Sequence, residues 1–199
     1  MSGVVVPGFA TSRKTPGVFL NVILGGAASS PAASPIKILL MGNKSAAISV
    51  SSPTLALPAG TIAVNTPIAL ASEDDAATYF GLGSEVHVMA RAVFAQYPDA
   101  TLYGIAVAEA GTAGDVICTF ANAATAAYAL RVRACGYTFD VSVASGDSIA
   151  TIVTALCNAV NAVTWLPFYA QFSTGAVTFT AKNTGPRGND LAVLLSFVS

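Results

Sequence analysis

Chemistry in this 199-residue chain would have to come from a short list of side chains. There is one histidine, His87, and three cysteines, Cys118, Cys135 and Cys157. The cysteines are far apart and odd in number, so they read as buried free thiols of a reducing compartment. His87 stands between Val86 and Val88 in a helical pattern, with Gly83 and Arg91 at four-residue spacing. Neither is a metal ligand and no cysteine pairs obviously with the imidazole, so a structural or surface role is the expectation. Glu73, Asp74 and Asp75 form the acidic cluster. Carboxylates at a helix start stabilise its first turn, whereas a divalent cation would need further oxygen ligands from elsewhere. No serine sits in a G-x-S-x-G setting.

Two stretches invite a phosphate reading. MGNKS, Met41 to Ser45, follows a strand-like run. A phosphate loop needs G-x-x-x-x-G-K-[ST], whose glycines turn backbone N–H groups toward the anion. Here Ile38 stands in place of the first glycine and Asn43 in place of the second. AKNTGPRGND, Ala181 to Asp190, offers amides near Gly185 to Gly188 and the Arg187 guanidinium. Strand-like runs flank it, and no helix follows to strengthen an anion site. It reads as a connector, with Arg187 left as a candidate contact between subunits. No catalytic, cofactor-binding or metal-binding residue is assigned, and the chain is not expected to be an enzyme.

The totals agree with an assembled protein. Charged residues make up 10% of the chain, against about 25% in ordinary soluble domains. The net charge is −1 and the bases are scattered, which argues against a nucleic-acid partner. No apolar run reaches the roughly 18 residues of a membrane span, and no basic stretch followed by an apolar core marks a signal peptide. Low charge leaves little to oppose association.

The elements that would position these residues fall into three parts. Residues 1–35 mix apolar runs with Pro and Gly and read as an extended arm and linker, with Val18, Phe19, Leu20, Val22 and Ile23 as candidate subunit contacts. Residues 36–111 read as a small α/β layer. IKILLMGN is a strand, KSAAISVSSPTLALPAG a loop and TPIALAS a strand. A short helix capped by Ser72 follows, then a longer one over EVHVMARAVFAQYP, then the strand TLYGIAVA. EAGTAG, Glu109 to Gly114, is the boundary and a candidate hinge, as is the segment 25–35. Residues 112–199 read as a β-β-β-α-β-β-β module, α+β overall. Alternation marks a hairpin around Gly136 and another around Ser173 to Gly175, with a helix capped by Asp147 between them.

The order of these pieces resembles the N-terminal part of contractile bacteriophage tail sheath proteins, most like those of Mu-type phages. The landmarks are Ser72 to Ala77, Phe80 to Ser84, Met89 to Phe94, Pro98 and Leu102 to Val107, then the GDSIATIVTALCNAVNA helix and VTFTAKNTGPRGND. The resemblance spans roughly residues 15–199. It implies a structural subunit that polymerises in helical rings around a tail tube and contracts to drive the tube through the host envelope. Other sheath subunits and the tube would be its partners. Its place would be the virion tail after assembly in the bacterial cytoplasm, with no cofactor, nucleic acid or membrane partner. Sheath proteins are usually far longer. Ser199 falls before any tube-facing C-terminal domain, which implies a fragment, a truncated product or a short divergent member. A fragment is expected to be monomeric in isolation. The module 112–199 would face the exterior. A surface binding or adhesion module of a phage or bacterial particle is the alternative.

Overall fold

Periodicity in the sequence becomes a mixed α+β fold with several small sheets in the computed structural model, which describes residues 37–108 and 110–198. All of these belong to one compact unit, Pro35–Ser199. The expected arm and its candidate contacts Val18, Phe19, Leu20, Val22 and Ile23 lie outside the described residues.

The first half runs β1 (Lys37–Gly42), β2 (Ile48–Ser51), β3 (Thr54–Leu57), β4 (Pro67–Leu70), α1 (Glu73–Phe80), α2 (Glu85–Gln96) and β5 (Thr101–Ala106). β1 pairs in parallel with β5, and β4 pairs with β5 antiparallel, in the order β1-β5-β4. Each helix starts where a serine hydroxyl can accept a first-turn amide. Ser72 Oγ accepts from Asp75 N–H at 3.1 Å, and Ser84 Oγ from His87 N–H at 3.2 Å. Glu73, Asp74 and Asp75 sit in the first turn of α1, as the helix dipole favours. Leu40, Leu70, Leu102 and Ala106 of the sheet are buried against Ala76, Phe80, Val86 and Ala90 of the helices. Full burial of one such large side chain stabilises the fold by about 1.5–3 kcal/mol.

Residues 44–60, expected to be loop, contain the hairpin β2-β3. Its outward positions are small or hydroxylated rather than charged, so the alternation that would have marked two strands is faint.

The second half runs β6 (Ala113–Thr119), β7 (Tyr128–Ala134), β8 (Tyr137–Val143), α3 (Ile149–Asn161), β9 (Phe168–Ser173), β10 (Ala176–Thr184), a 3-10 turn (Pro186–Asp190) and β11 (Val193–Val198). Two antiparallel sheets form, β6-β10-β9 and β11-β7-β8. α3 packs on β8, β9 and β10, so both sheets share one core. Its buried stripe is Ile152, Val153, Leu156, Cys157 and Val160. The cap of α3 is Ser148, whose Oγ accepts from Thr151 N–H at 3.2 Å. Asp147, expected in that role, instead closes the preceding turn by accepting from Ala144 N–H at 2.7 Å.

The cysteines divide. Cys157 is buried, Cys118 is half-buried and Cys135 is exposed. Cys135 and Gly136 form the two-residue turn between β7 and β8, with φ of 49° and 80°. Positive φ at both central positions is what a tight hairpin demands, and it places the Cys135 thiol outside rather than in the core.

Candidate functional site: a polar seam joining two cores

The two cores meet along a line of polar groups contributed by the Gly81–Ser84 loop, α1, α2 and the end of β10. The stretch AKNTGPRGND supplies one side of it. Lys182 Nζ donates to Leu82 O at 3.2 Å across the seam and to Thr164 O at 2.5 Å on its own side. Asn183 Oδ1 accepts from Glu85 N–H at 3.2 Å, a first-turn amide of α2. Thr184 O accepts from Asn43 Nδ2 at 3.4 Å. Three consecutive residues of one strand therefore bind three points of the other core. Further along, Phe172 N–H of β9 donates to Ser52 O of the β2-β3 turn at 3.0 Å.

Burial sets the electrostatics. Lys182 is only 5% exposed, and loss of hydration pushes its amine down to about 8. His87, 1% exposed, accepts from Gly83 N–H through Nδ1 at 3.0 Å, and its Nε2 lies 3.6 Å from Glu73 Oε1. Desolvation lowers the imidazole pKa, with Arg91 and Lys182 adding to the shift and Glu73 and Asp74 opposing it. The Arg91 guanidinium stacks 3.6 Å from the centre of the Trp165 ring. Its Nε is 3.7 Å from Glu73 Oε1, and its Nη1 is buried without a hydrogen-bond partner among the described residues. The indole face takes the place of an acceptor there. Trp165 in turn meets Tyr137 edge-on at 4.9 Å.

Close backbone approach holds the seam shut. Gly83 has φ of +77°, and a Cβ there would collide with Leu166 O. Within the second half, Gly114 packs on the backbone of Gly188 as tightly, and Gly185 N–H donates to Thr112 O at 3.1 Å. The described part of the breaker cluster at 109–114 is thus anchored on the 3-10 turn. The Arg187 side chain lies outside the described residues.

No protein-family model and no curated protein matches this chain. Its chemistry is therefore read from its own groups, and the phosphate reading of MGNKS fails on geometry. Asn43 N–H donates to Glu85 Oε2 at 3.1 Å, Ser45 N–H to Phe80 O at 2.8 Å, and Lys44 Nζ to Ile62 O at 2.7 Å. These three donors already face a carboxylate or a carbonyl. A shallow cleft of about 280 Å³ lies beside them, at the carboxyl ends of β1 and β5, with Val64 and Val107 on its other wall. Among the described residues no three His, Cys, Asp or Glu side chains come together as a metal site. None of their helices is long and apolar enough to cross a membrane.

Of the side chains singled out in the sequence, the fold brings together His87, Glu73, Asp74 and Lys182. It leaves Cys118, Cys135 and Cys157 apart from them. Sequence reasoning missed Trp165, gave Arg91 no role beyond its spacing from His87, and took Lys182 and Asn183 for part of a connector. The one available signal was a lysine that continues the strand pattern VTFTAKN instead of standing in the breaker-rich stretch after it.

Proposed function

We propose that this chain is a subunit, or part of a subunit, of a contractile phage tail sheath, polymerising around a tail tube and contracting to drive it through the host envelope. The observation that carries the reading is the β1-β5-β4 face opposite the helices. Its cross-strand rows are Leu39–Tyr103–Ala69 and Met41–Ile105–Pro67, with the Lys37 ammonium over the Tyr103 ring, 5.7 Å from its centre, as the charge at one end. Leu39 is 53% and Met41 57% exposed. Parallel strand pairs are normally covered on both faces, and an apolar patch on a low-charge body favours assembly. The landmarks of the sheath resemblance also fall on consecutive elements: Ser72 caps α1, Phe80 ends it and Gly81 to Ser84 is the loop of the seam, Met89 to Phe94 lies in α2 and Leu102 starts the buried face of β5.

The mechanism needs no bond chemistry. A sheath stores energy as a difference between two packings of rigid subunits, and the seam makes two cores move as one body. Residues 112–199 form the outward β-β-β-α-β-β-β module in this reading. Negative-stain electron microscopy of the full-length gene product tests it. Rings or tubes with a helical repeat are expected, and dispersed monomers overturn it.

A further inference from the structure

Hydrogen bonding at His87 dictates which protonation state the fold accepts. Nδ1 takes the Gly83 N–H at 3.0 Å, so it must carry a lone pair, and the ring hydrogen sits on Nε2 toward Glu73. A second proton has to go onto Nδ1, where it meets the Gly83 N–H head-on. Gly83 has little room to yield, because it is packed against Leu166 O and the Lys182 side chain of the other core. The charged groups around the imidazole are Glu73 and Asp74 from α1, Arg91 from α2 and Lys182 from β10. Two of these cations, Arg91 and Lys182, also make seam contacts, so an imidazolium adds repulsion where the cores are joined.

We propose that His87 is an acid-operated release for the seam: protonation breaks its bond to Gly83, displaces the 81–84 loop with the Leu82 carbonyl that holds Lys182, and uncouples the two cores while each stays folded. The proposal is independent of the sheath reading. It is a local charge change acting on a packed joint.

The protein carries its own reporters, since His87 is its one histidine and Trp165 its one tryptophan. The test follows the imidazole C–H resonances by NMR, Trp165 emission, far-UV circular dichroism and exchange of the Gly83 amide as pH is lowered. Trp165 emission should change in a single-proton step whose midpoint coincides with the His87 titration below 6.5. Circular dichroism should stay constant through that step, and protection of the Gly83 amide should fall about tenfold per pH unit as the midpoint is approached from above and be lost beneath it. His87→Asn retains an acceptor near the Nδ1 position but cannot titrate, and should lose the step. A step that survives in H87N at the same midpoint overturns the proposal. So does a wild-type protein in which emission and exchange stay unchanged until the circular dichroism collapses. If H87N does not fold, the wild-type midpoints decide alone, and imidazole and Gly83 midpoints that differ overturn the proposal.

Discussion

Raising the pH from about 8 to 10.5 should make this protein more stable, and Lys182→Met should remove that gain. In the unfolded chain the amine holds its proton up to the ordinary 10.5, whereas burial in the fold pushes it down to about 8. Between these values the unfolded state binds one proton more than the native state, so the free energy of unfolding rises with pH. Beneath the lower value the native state bears the full cost of a buried charge, and above the upper value neither state is charged. The difference between 10.5 and about 8, at about 1.4 kcal/mol per unit, amounts to about 3 kcal/mol. A neutral amine keeps two N–H groups, so both Leu82 O and Thr164 O remain bonded. Urea denaturation followed by far-UV circular dichroism at several pH values across this window measures the effect. The quantity to plot is wild type minus Lys182→Met, which isolates the contribution of this one amine. Parallel curves for the two proteins, or a wild type that loses ground as pH rises, would refute a buried, desolvated lysine in the seam.

Other substitutions test the remaining parts of the argument. Ser84→Ala removes the hydroxyl that accepts from His87 N–H and should cost about 1 kcal/mol in chemical denaturation. Phe80→Ala empties the centre of the first core and should cost about 3–5 kcal/mol, with a cooperative transition still visible if the second core holds. Leu39→Asp with Met41→Asp alters two side chains that are more than half exposed. It should leave circular dichroism unchanged while abolishing any rings or tubes seen by electron microscopy.

Much of the fold is legible in local pattern. Leu130, Val132, Val141 and Val143 alternate and are buried across the β7-β8 hairpin, because side chains along a strand point to opposite faces in turn. Val86 and Ala90 are buried at helical spacing in α2 for the same kind of reason. Where outward residues are small, as in β2 and β3, the contrast fades and the strands go unseen. Asp147 was the expected cap of α3, and the backbone at Ser148, with φ of −69° and ψ of 157°, puts the cap one residue later.

By itself the sequence determined the alternation, the helical stripes, Ser72 as the cap of the first helix and the low charge. Each is a property of neighbours within a few residues, where backbone geometry imposes its period. Only the tertiary structure decided the seam. Lys182 meets Leu82 at a separation of 100 residues, Asn183 meets Glu85 at 98, and Thr184 meets Asn43 at 141. No periodicity connects such positions. Whether a lysine on a strand faces water or two carbonyls depends on which loop the folded chain brings against it, and that is also what sets the pKa of its amine.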